Sequence, residues 1–168
     1  QISNPIPFEK NVFDLNKKEK KFVYFGRIHP HKNLLLLIDS FIAANLSEDW
    51  SLEIYGIEDD ENYLRLIENK IKNYKNISIM SPIFGYEKQR IMYSSWANIL
   101  ISKSEVLSLS ILESSLYGLP TLVNKEIEIK NFGESIIPTD LNIENIKENI
   151  IKISRWKVEE RIYKEKKI

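Results

Sequence analysis

Between residues 20 and 155, short apolar runs alternate with amphipathic segments of helical length. Strands are predicted at residues 21–25, 51–55, 76–80, 98–102 and 120–123, with a short sixth at 136–137. Helices are predicted at residues 31–46, 60–74, 86–96, 110–117 and 143–154. Consecutive parallel strands are joined by right-handed crossovers, which here are helical. These helices cover both faces of the sheet. The pattern therefore predicts an α/β fold with a doubly wound, Rossmann-like parallel sheet of five to six strands.

The chain has 168 residues, which is enough for one domain with a substantial core. We expect residues 1–19 to form an extended lead-in, because Pro5 and Pro7 resist helix formation. Residues 20–155 carry the strand and helix pattern of the predicted domain. Residues 156–168 are a charged tail that is predicted to be helical.

Composition restricts the classes of function that suit this chain. Its 24 basic and 24 acidic residues give no net charge, which argues against broad nucleic-acid binding because that needs a basic face. The sequence contains no cysteine, so disulfides and thiolate metal sites are excluded. The absence fits the cytoplasmic location that we expect, but it does not require it. No apolar run approaches the roughly 20 residues that span a bilayer, and no signal peptide is expected.

A cluster of cations follows the first predicted strand. Gly26 permits a tight turn, and Arg27 offers a planar guanidinium that suits phosphate oxygens; both Arg27 and Lys32 are expected on the loop after the strand. Lys32 is also expected near the first turn of the next helix, where free N–H groups attract anions. These residues predict an anion site, although a solvated basic loop explains the same spacing equally well. His29 and His31 have no third ligand nearby in the sequence, so a metal site is disfavoured.

Two acidic residues mark the region after the fourth predicted strand. Glu105 is expected in the loop at the carboxyl edge of the sheet, where ligands bind in folds of this class. Glu113 is expected in the first turns of the next helix, which Ser108 or Ser110 can cap. Both carboxylates can face a ligand, but spacing alone favours two surface acids that stabilise a helix start.

Taken together, these stretches resemble the C-terminal, donor-binding domain of retaining glycosyltransferases of GT-B architecture, in the family called glycosyl transferases group 1. Gly26 and Arg27 followed by Lys32 are similar to that family's G-R-x(4)-K element. Glu105 and Glu113 are similar to its E-x(7)-E element. Further similar segments are residues 3–6, 76–105 and 118–123. The likeness covers residues 3–125 and includes four motifs in the family's order.

The resemblance implies roles for the charged residues. Arg27 and Lys32 would hold the donor diphosphate and neutralise charge on the departing nucleotide. Glu105 would contact hydroxyls of the transferred sugar, which makes Arg27, Lys32 and Glu105 the catalytic candidates. Glu113 would accept hydrogen bonds from the ribose hydroxyls of the donor.

The resemblance also implies contacts through the backbone. The chain near Ile83 would meet the base of the nucleotide. Backbone amides near Ser108 and Leu109 would approach the phosphates and the sugar, and Gly26 would border the same donor site. No metal ion or other cofactor is implied, since cations of the protein would stabilise the leaving group.

A GT-B enzyme has two Rossmann-like domains with the active site between them. The resemblance therefore implies a missing N-terminal acceptor-binding domain, a nucleotide diphosphate sugar (UDP-linked) as donor, and a glycan or lipid-linked acceptor. The fragment alone would transfer little or no sugar. The product class expected from the family is bacterial O-antigen or capsule, with the full enzyme peripheral at the inner membrane face.

Two alternatives remain open at this point. One is a non-catalytic interaction domain that kept the fold, which is supported by residues 106–108, where Val-Leu-Ser replaces the family's usual Gly-Phe-Gly. The other is a sugar-nucleotide epimerase, because such enzymes share the GT-B architecture. An assay of transfer against epimerisation separates these possibilities.

Overall fold

The computed structural model describes residues 18–104, 109–127 and 135–157. Six strands lie in this part of the chain: β1 Lys21–Ile28, β2 Ser51–Glu58, β3 Ile77–Met80, β4 Ala97–Leu100, β5 Thr121–Asn124 and β6 Ile136–Thr139. The α-helices are α1 Leu34–Ala44, α2 Glu61–Ile71, α3 Gly85–Ser94, α4 Leu109–Leu116 and α5 Ile143–Ser154. A short 3-10 turn, Pro30–Lys32, precedes α1. The predicted lead-in and tail lie largely outside the described residues.

The six strands form one sheet in the order β3-β2-β1-β4-β5-β6, and every pair of neighbours is parallel. The predicted α/β, Rossmann-like fold class is therefore confirmed. The strand order reverses between β1 and β4, because the chain builds outward from β1 first in one direction and then in the other. In doubly wound sheets, ligands bind beyond the carboxyl ends of the strands at this reversal.

Both faces of the sheet are covered, as the apolar runs require. Side chains of a strand alternate between faces, so Phe22 and Tyr24 enter one core whereas Val23 and Phe25 enter the other. The larger core includes residues of α1, α2 and α5, with Phe41 and Trp50 packed against Phe22. The smaller core contains Val23, Phe25, Tyr55, Met92, Tyr117 and Leu119. Phe25 and Tyr55 of that core also line the cavity described below.

The connection between β1 and α1 differs from the prediction, both where the strand ends and where the helix begins. β1 continues to Ile28, because its pairing with β2 extends to the register pair Ile28 and Glu58. The expectation that Arg27 lies on a loop is therefore wrong. Helix α1 begins at Leu34, since Asn33 adopts the left-handed conformation (φ 55°) that ends the preceding turn. The Asn33 side-chain amide donates a hydrogen bond to the carbonyl of Ile101, 2.9 Å away, which ties this turn to the end of β4.

Within the described residues, none of the helices has the length and apolar character required to cross a bilayer.

Candidate functional site

A cavity of about 420 Å³ lies at the carboxyl edge of the sheet, near the reversal of strand order. Its walls come from the ends of β1, β2 and β4, from the turn before α3, and from the starts of α3 and α4. The lining residues are Phe25, Gly26, Arg27, Lys32, Tyr55, Gly56, Ile57, Pro82, Ile83, Phe84, Lys88, Leu100, Leu109 and Ser110. Of the lining residues that the structure describes, three are cations and none is a carboxylate, so this part of the cavity suits an anionic ligand.

Two glycines allow close packing at the floor of this cavity. Gly26 and Gly56 are register partners across β1 and β2. A Cβ atom on Gly56 would lie 2.7 Å from the carbonyl oxygen of Gly26 and 2.7 Å from Cγ1 of Ile28. A Cβ atom on Gly26 would lie 2.5 Å from the phenol oxygen of Tyr24, which donates a hydrogen bond to the carbonyl of Arg27. Glycine at both positions therefore permits the close packing of β1 and β2 from which Arg27 projects.

Arg27 extends from β1 into an exposed ion pair with Asp59. The distance between Arg27 Nη1 and Asp59 Oδ2 is 2.8 Å, and the two side chains are 64% and 38% exposed. An ion pair this exposed contributes little to stability. The guanidinium is thus available to a ligand at a small cost.

Lys32 belongs to the 3-10 turn rather than to the first turn of α1, and it lines the cavity. One N–H group of the helix start is already used, because Leu35 N donates to the hydroxyl oxygen of Tyr63 at 3.1 Å. The N–H group of Leu35 is therefore not free for a ligand, and the predicted anion site at this helix start stays a prediction. What the turn contributes is the lysine side chain itself.

A second ion pair lies on the other side of the cavity, between Lys88 of α3 and Glu113 of α4. Its Nζ and Oε2 atoms are 2.5 Å apart, and the side chains are only 19% and 22% exposed. The ammonium also lies 5.4 Å from the centroid of the Phe25 ring, where a cation–π attraction is favourable. Phe25 is in turn stacked on Tyr55, with centroids 5.2 Å apart. Lys88 is therefore held by a carboxylate and by an aromatic ring that is itself fixed.

The start of α4 rests on a buried polar network. The Asn98 side-chain amide donates to Ser114 Oγ at 3.0 Å and to Ser110 Oγ at 3.4 Å. Among the described groups, Asn98 Oδ1 and Ser115 Oγ are buried without a hydrogen-bond partner in the protein. A network of this kind fixes the position of α4 on β4 and therefore the position from which Glu113 projects.

Two tyrosines near the cavity, Tyr55 and Tyr117, are buried on this side of the sheet. Burial raises the pKa of the Tyr55 phenol, and the adjacent Glu53 carboxylate raises it further. Burial is likewise the main reason that the pKa of Tyr117 is raised, with the charge of Glu113 as the second cause. Electrostatic interactions of the Lys88–Glu113 pair are consequently less screened than those of a surface pair.

The two histidines do not form part of a metal cluster in the described chain. His29 and His31 stack with parallel rings 5.2 Å apart, and His29 Nδ1 accepts a hydrogen bond from His31 N. No group of three His, Asp or Glu side chains among residues 18–104, 109–127 and 135–157 converges as metal ligands. The expected metal independence remains a prediction.

The structure brings together part of the predicted site. Gly26, Arg27, Lys32, Ile83 and Leu109 all line the one cavity. Glu113 does not line the cavity and is joined to it through its ion pair with Lys88. The predicted residues Glu105 and Ser108 lie outside the described residues.

Sequence reasoning missed Lys88 and Phe84. Both lie near the start of α3, where the sequence shows only a turn followed by a helix, and neither belongs to a motif with a chemical role. Lys88 reaches a partner 25 positions away, and such pairs leave no local pattern. The available signal was positional, since α3 begins at the carboxyl edge at which ligands bind.

Solved glycosyltransferase structures share this fold. The pneumococcal O-GlcNAc transferase GtfA, in complex with UDP and GlcNAc, is 20% identical with a TM-score of 0.67, and the alignment covers 91% of this chain and 33% of GtfA. A mutant of TarM from S. aureus, in complex with UDP and other ligands, is 16% identical with a TM-score of 0.72, covering 97% and 34%. WaaG, a glycosyltransferase involved in lipopolysaccharide biosynthesis, is 15% identical with a TM-score of 0.70, covering 89% and 41%.

These likenesses concern one part of larger molecules. The chain spans about a third of the length of GtfA and of TarM. No curated protein sequence matches it. The model of the family described as "Glycosyl transferases group 1" matches residues 5–167, which is nearly the whole chain. The alternation of strands and helices, the cavity at the reversal of strand order and this match agree, and the chain belongs to the glycosyl transferases group 1 family.

Proposed function

We propose that this chain is the donor-binding domain of a retaining glycosyltransferase whose donor is a UDP-linked sugar. In this proposal the cavity holds the nucleotide diphosphate part of the donor. A second domain of the complete enzyme would bind the acceptor. The acceptor is a growing glycan or a lipid-linked glycan of a bacterial surface polysaccharide, such as O-antigen or capsule.

The observation that supports this proposal best is the convergence of Arg27 and Lys32 on one cavity whose other walls are largely apolar. A nucleoside diphosphate has the matching division into a polyanionic part and a flat, weakly polar base. The apolar end of the cavity includes Ile83 and the exposed ring of Phe84. Aromatic and apolar surfaces of this kind suit the face of a base.

The chemistry asked of the cations is to stabilise the leaving group. When the bond between the anomeric carbon and the diphosphate oxygen breaks, negative charge develops on the departing UDP. Positively charged side chains that are already in place interact more strongly with that charge than with the intact donor, which lowers the barrier. Arg27 and Lys32 would have this role, and the expected metal independence follows from it.

Calorimetric titration of UDP into the purified chain tests the proposal. We expect saturable binding by the wild type, with weaker binding of UMP and much weaker binding of uridine, because the cations recognise the diphosphate. NMR shifts should include Arg27 and Lys32. An absence of both heat and shifts would overturn the proposal. Addition of EDTA should leave UDP affinity unchanged, and a loss of affinity would contradict metal-independent binding.

Substitutions locate the site. Arg27→Ala and Lys32→Ala should each weaken UDP binding by about 1.5–3 kcal/mol, the worth of a charge-assisted hydrogen bond. Arg65→Ala is the matched control, because Arg65 is also 64% exposed and paired with a carboxylate but lies on α2, away from the cavity. Equal effects of Arg27→Ala and Arg65→Ala would exclude the assignment of the phosphate site.

The activity of the complete protein needs its own assay. Incubation of the full enzyme with UDP-sugars and candidate acceptors should yield a product with the anomeric configuration of the donor. Conversion of the UDP-sugar to its epimer without an acceptor would indicate the epimerase alternative instead.

We also propose that the full enzyme works in the cytoplasm, at the inner face of the membrane. Co-sedimentation of the full enzyme with membranes of its source is the corresponding measurement.

A further inference from the structure

Lys88 is the cavity cation that the family motifs do not explain. Its ammonium is bound to Glu113 and lies over the Phe25 ring, and the residue lines the cavity. Lys88 belongs to α3, and it contacts α4 through Glu113 and β1 through Phe25. We propose that Lys88 is a positioning residue: it holds the Glu113 carboxylate in the orientation that accepts the two ribose hydroxyls of the donor. This inference rests on the proposed function.

The geometry favours this role over a direct contact with phosphate. To reach the diphosphate, the ammonium would have to leave a carboxylate that is only 22% exposed, and Glu113 would then remain as an unpaired charge near the anionic ligand. Keeping the pair intact avoids that repulsion. It also preserves the contact of the ammonium with Phe25, which is itself held by stacking on Tyr55.

The pair leaves Glu113 with the acceptor capacity that a ribose needs. The Lys88 ammonium engages Oε2, and a carboxylate has about four lone-pair sites in total. Oε1 and the remaining lone pair of Oε2 are enough for two neighbouring hydroxyl donors. Because one oxygen is fixed by the lysine, the plane of the carboxylate is fixed as well. The diol would therefore meet a carboxylate that is already oriented, and a sugar that lacks one hydroxyl would leave an acceptor unused.

The experiment compares UDP with 2′-deoxy-UDP, which has the same base and diphosphate but lacks one ribose hydroxyl. Calorimetry should show that the wild type binds UDP at least about tenfold more tightly than 2′-deoxy-UDP, as expected for the loss of one charge-assisted hydrogen bond. Lys88→Met keeps an unbranched side chain of similar length but removes the charge, and with it both the ion pair and the attraction to the Phe25 ring. Lys88→Met should reduce the preference for UDP over 2′-deoxy-UDP several-fold, mainly by weakening UDP binding. Glu113→Gln should reduce this preference further.

Two more variants separate positioning from packing. Lys88→Arg retains a cation and should keep most of the preference for UDP. Lys70→Met is the matched control, because Lys70 forms a comparable ion pair with Asp39 on helices away from the cavity, and it should leave the preference unchanged. If Lys88→Met fails to fold, Lys88→Gln makes the same comparison with a polar, uncharged side chain of similar length.

The possible results distinguish this inference from the proposed function. If wild-type protein binds no UDP, both are overturned. If it binds UDP but Lys88→Met weakens UDP and 2′-deoxy-UDP by the same factor, only the inference is overturned, and Lys88 has a structural role. If Lys88→Met weakens UDP and 2′-deoxy-UDP equally but leaves the affinity for uridine unchanged, Lys88 contacts the phosphates. That result also overturns the positioning role.

Discussion

Two ion pairs flank the same cavity, and they differ in how far they are removed from water. Arg27 and Asp59 meet at the open side, where their side chains are 64% and 38% exposed. Lys88 and Glu113 meet between α3 and α4, where the corresponding values are 19% and 22%. Water and salt screen the first pair but reach the second much less. Arg27 can therefore exchange Asp59 for a ligand, whereas Lys88 and Glu113 are suited to remain paired.

The difference extends to what positions each functional side chain. Arg27 projects from a paired strand, and its backbone carbonyl accepts a hydrogen bond from the buried Tyr24 phenol at 2.8 Å. Its place in the fold depends on the packing of β1 against β2 and not on Asp59. Glu113 projects from a helix beside Lys88, and that contact determines where its carboxylate points. Arg27 is thus positioned by the backbone, whereas the carboxylate of Glu113 is positioned by its ion pair.

The largest effect is expected from a change in the backbone beneath Arg27. Gly56→Ala places a methyl group 2.7 Å from the Gly26 carbonyl oxygen, so β1 and β2 must shift apart. We expect the free energy of unfolding to fall by about 1–3 kcal/mol, the usual cost of overpacking. Urea denaturation measures it. Asp59→Ala is the comparison and should cost far less. Similar losses for the two variants would contradict the view that packing positions Arg27.

A double-mutant cycle on the less exposed pair should give the next largest effect. With Lys88→Met and Glu113→Gln, we expect a coupling of about 1–2 kcal/mol, between the value for surface pairs and the loss on breaking a fully buried one. The coupling should persist at high salt, since the pair is poorly accessible to ions. Urea denaturation of the four proteins measures it, and a coupling near zero would show that Lys88 and Glu113 act independently.

The same cycle on the exposed pair should give a smaller value. With Arg27→Met and Asp59→Asn, we expect a coupling of about 0.2–1 kcal/mol, as measured for exposed ion pairs. It should decline toward zero as ionic strength rises, because the charges are solvated. In addition, Asp59→Asn should leave UDP affinity equal to or slightly above that of the wild type. A marked loss of affinity would show that Asp59 takes part in binding.

The smallest effect concerns the titration of Tyr117 at alkaline pH. Burial raises its pKa, and the Glu113 charge adds to that shift. The unfolded chain releases this proton at a lower pH than the folded one, so the stability contributed by the neutral phenol is complete below about pH 10 and declines above it. Glu113→Gln should lower the pKa of Tyr117 slightly, and Asp59→Asn should leave it unchanged. An NMR titration of the Tyr117 ring carbons measures both, and equal shifts in the two variants would refute the assignment.

Much of the fold could be predicted because it depends on local repetition. The apolar runs at the positions of β1, β2 and β4 can be buried on both faces only in a sheet covered by helices, and the intervening amphipathic segments supply that cover. The extension of β1 through Arg27 could not be predicted, because Gly26 and Arg27 are poor strand residues. Their extended conformation is stabilised by pairing with residues of β2 that are about thirty positions away.

For this protein, the sequence alone determined the class of fold and the presence of Arg27 and Lys32 at the carboxyl edge of the sheet. The tertiary structure alone decided that Lys88 joins them and that it is paired with Glu113, while Arg27 is paired with Asp59. The physical reason is range. Periodicity and turn chemistry act between neighbours in the chain, whereas the exposure and pairing of a charge depend on which distant elements pack around it.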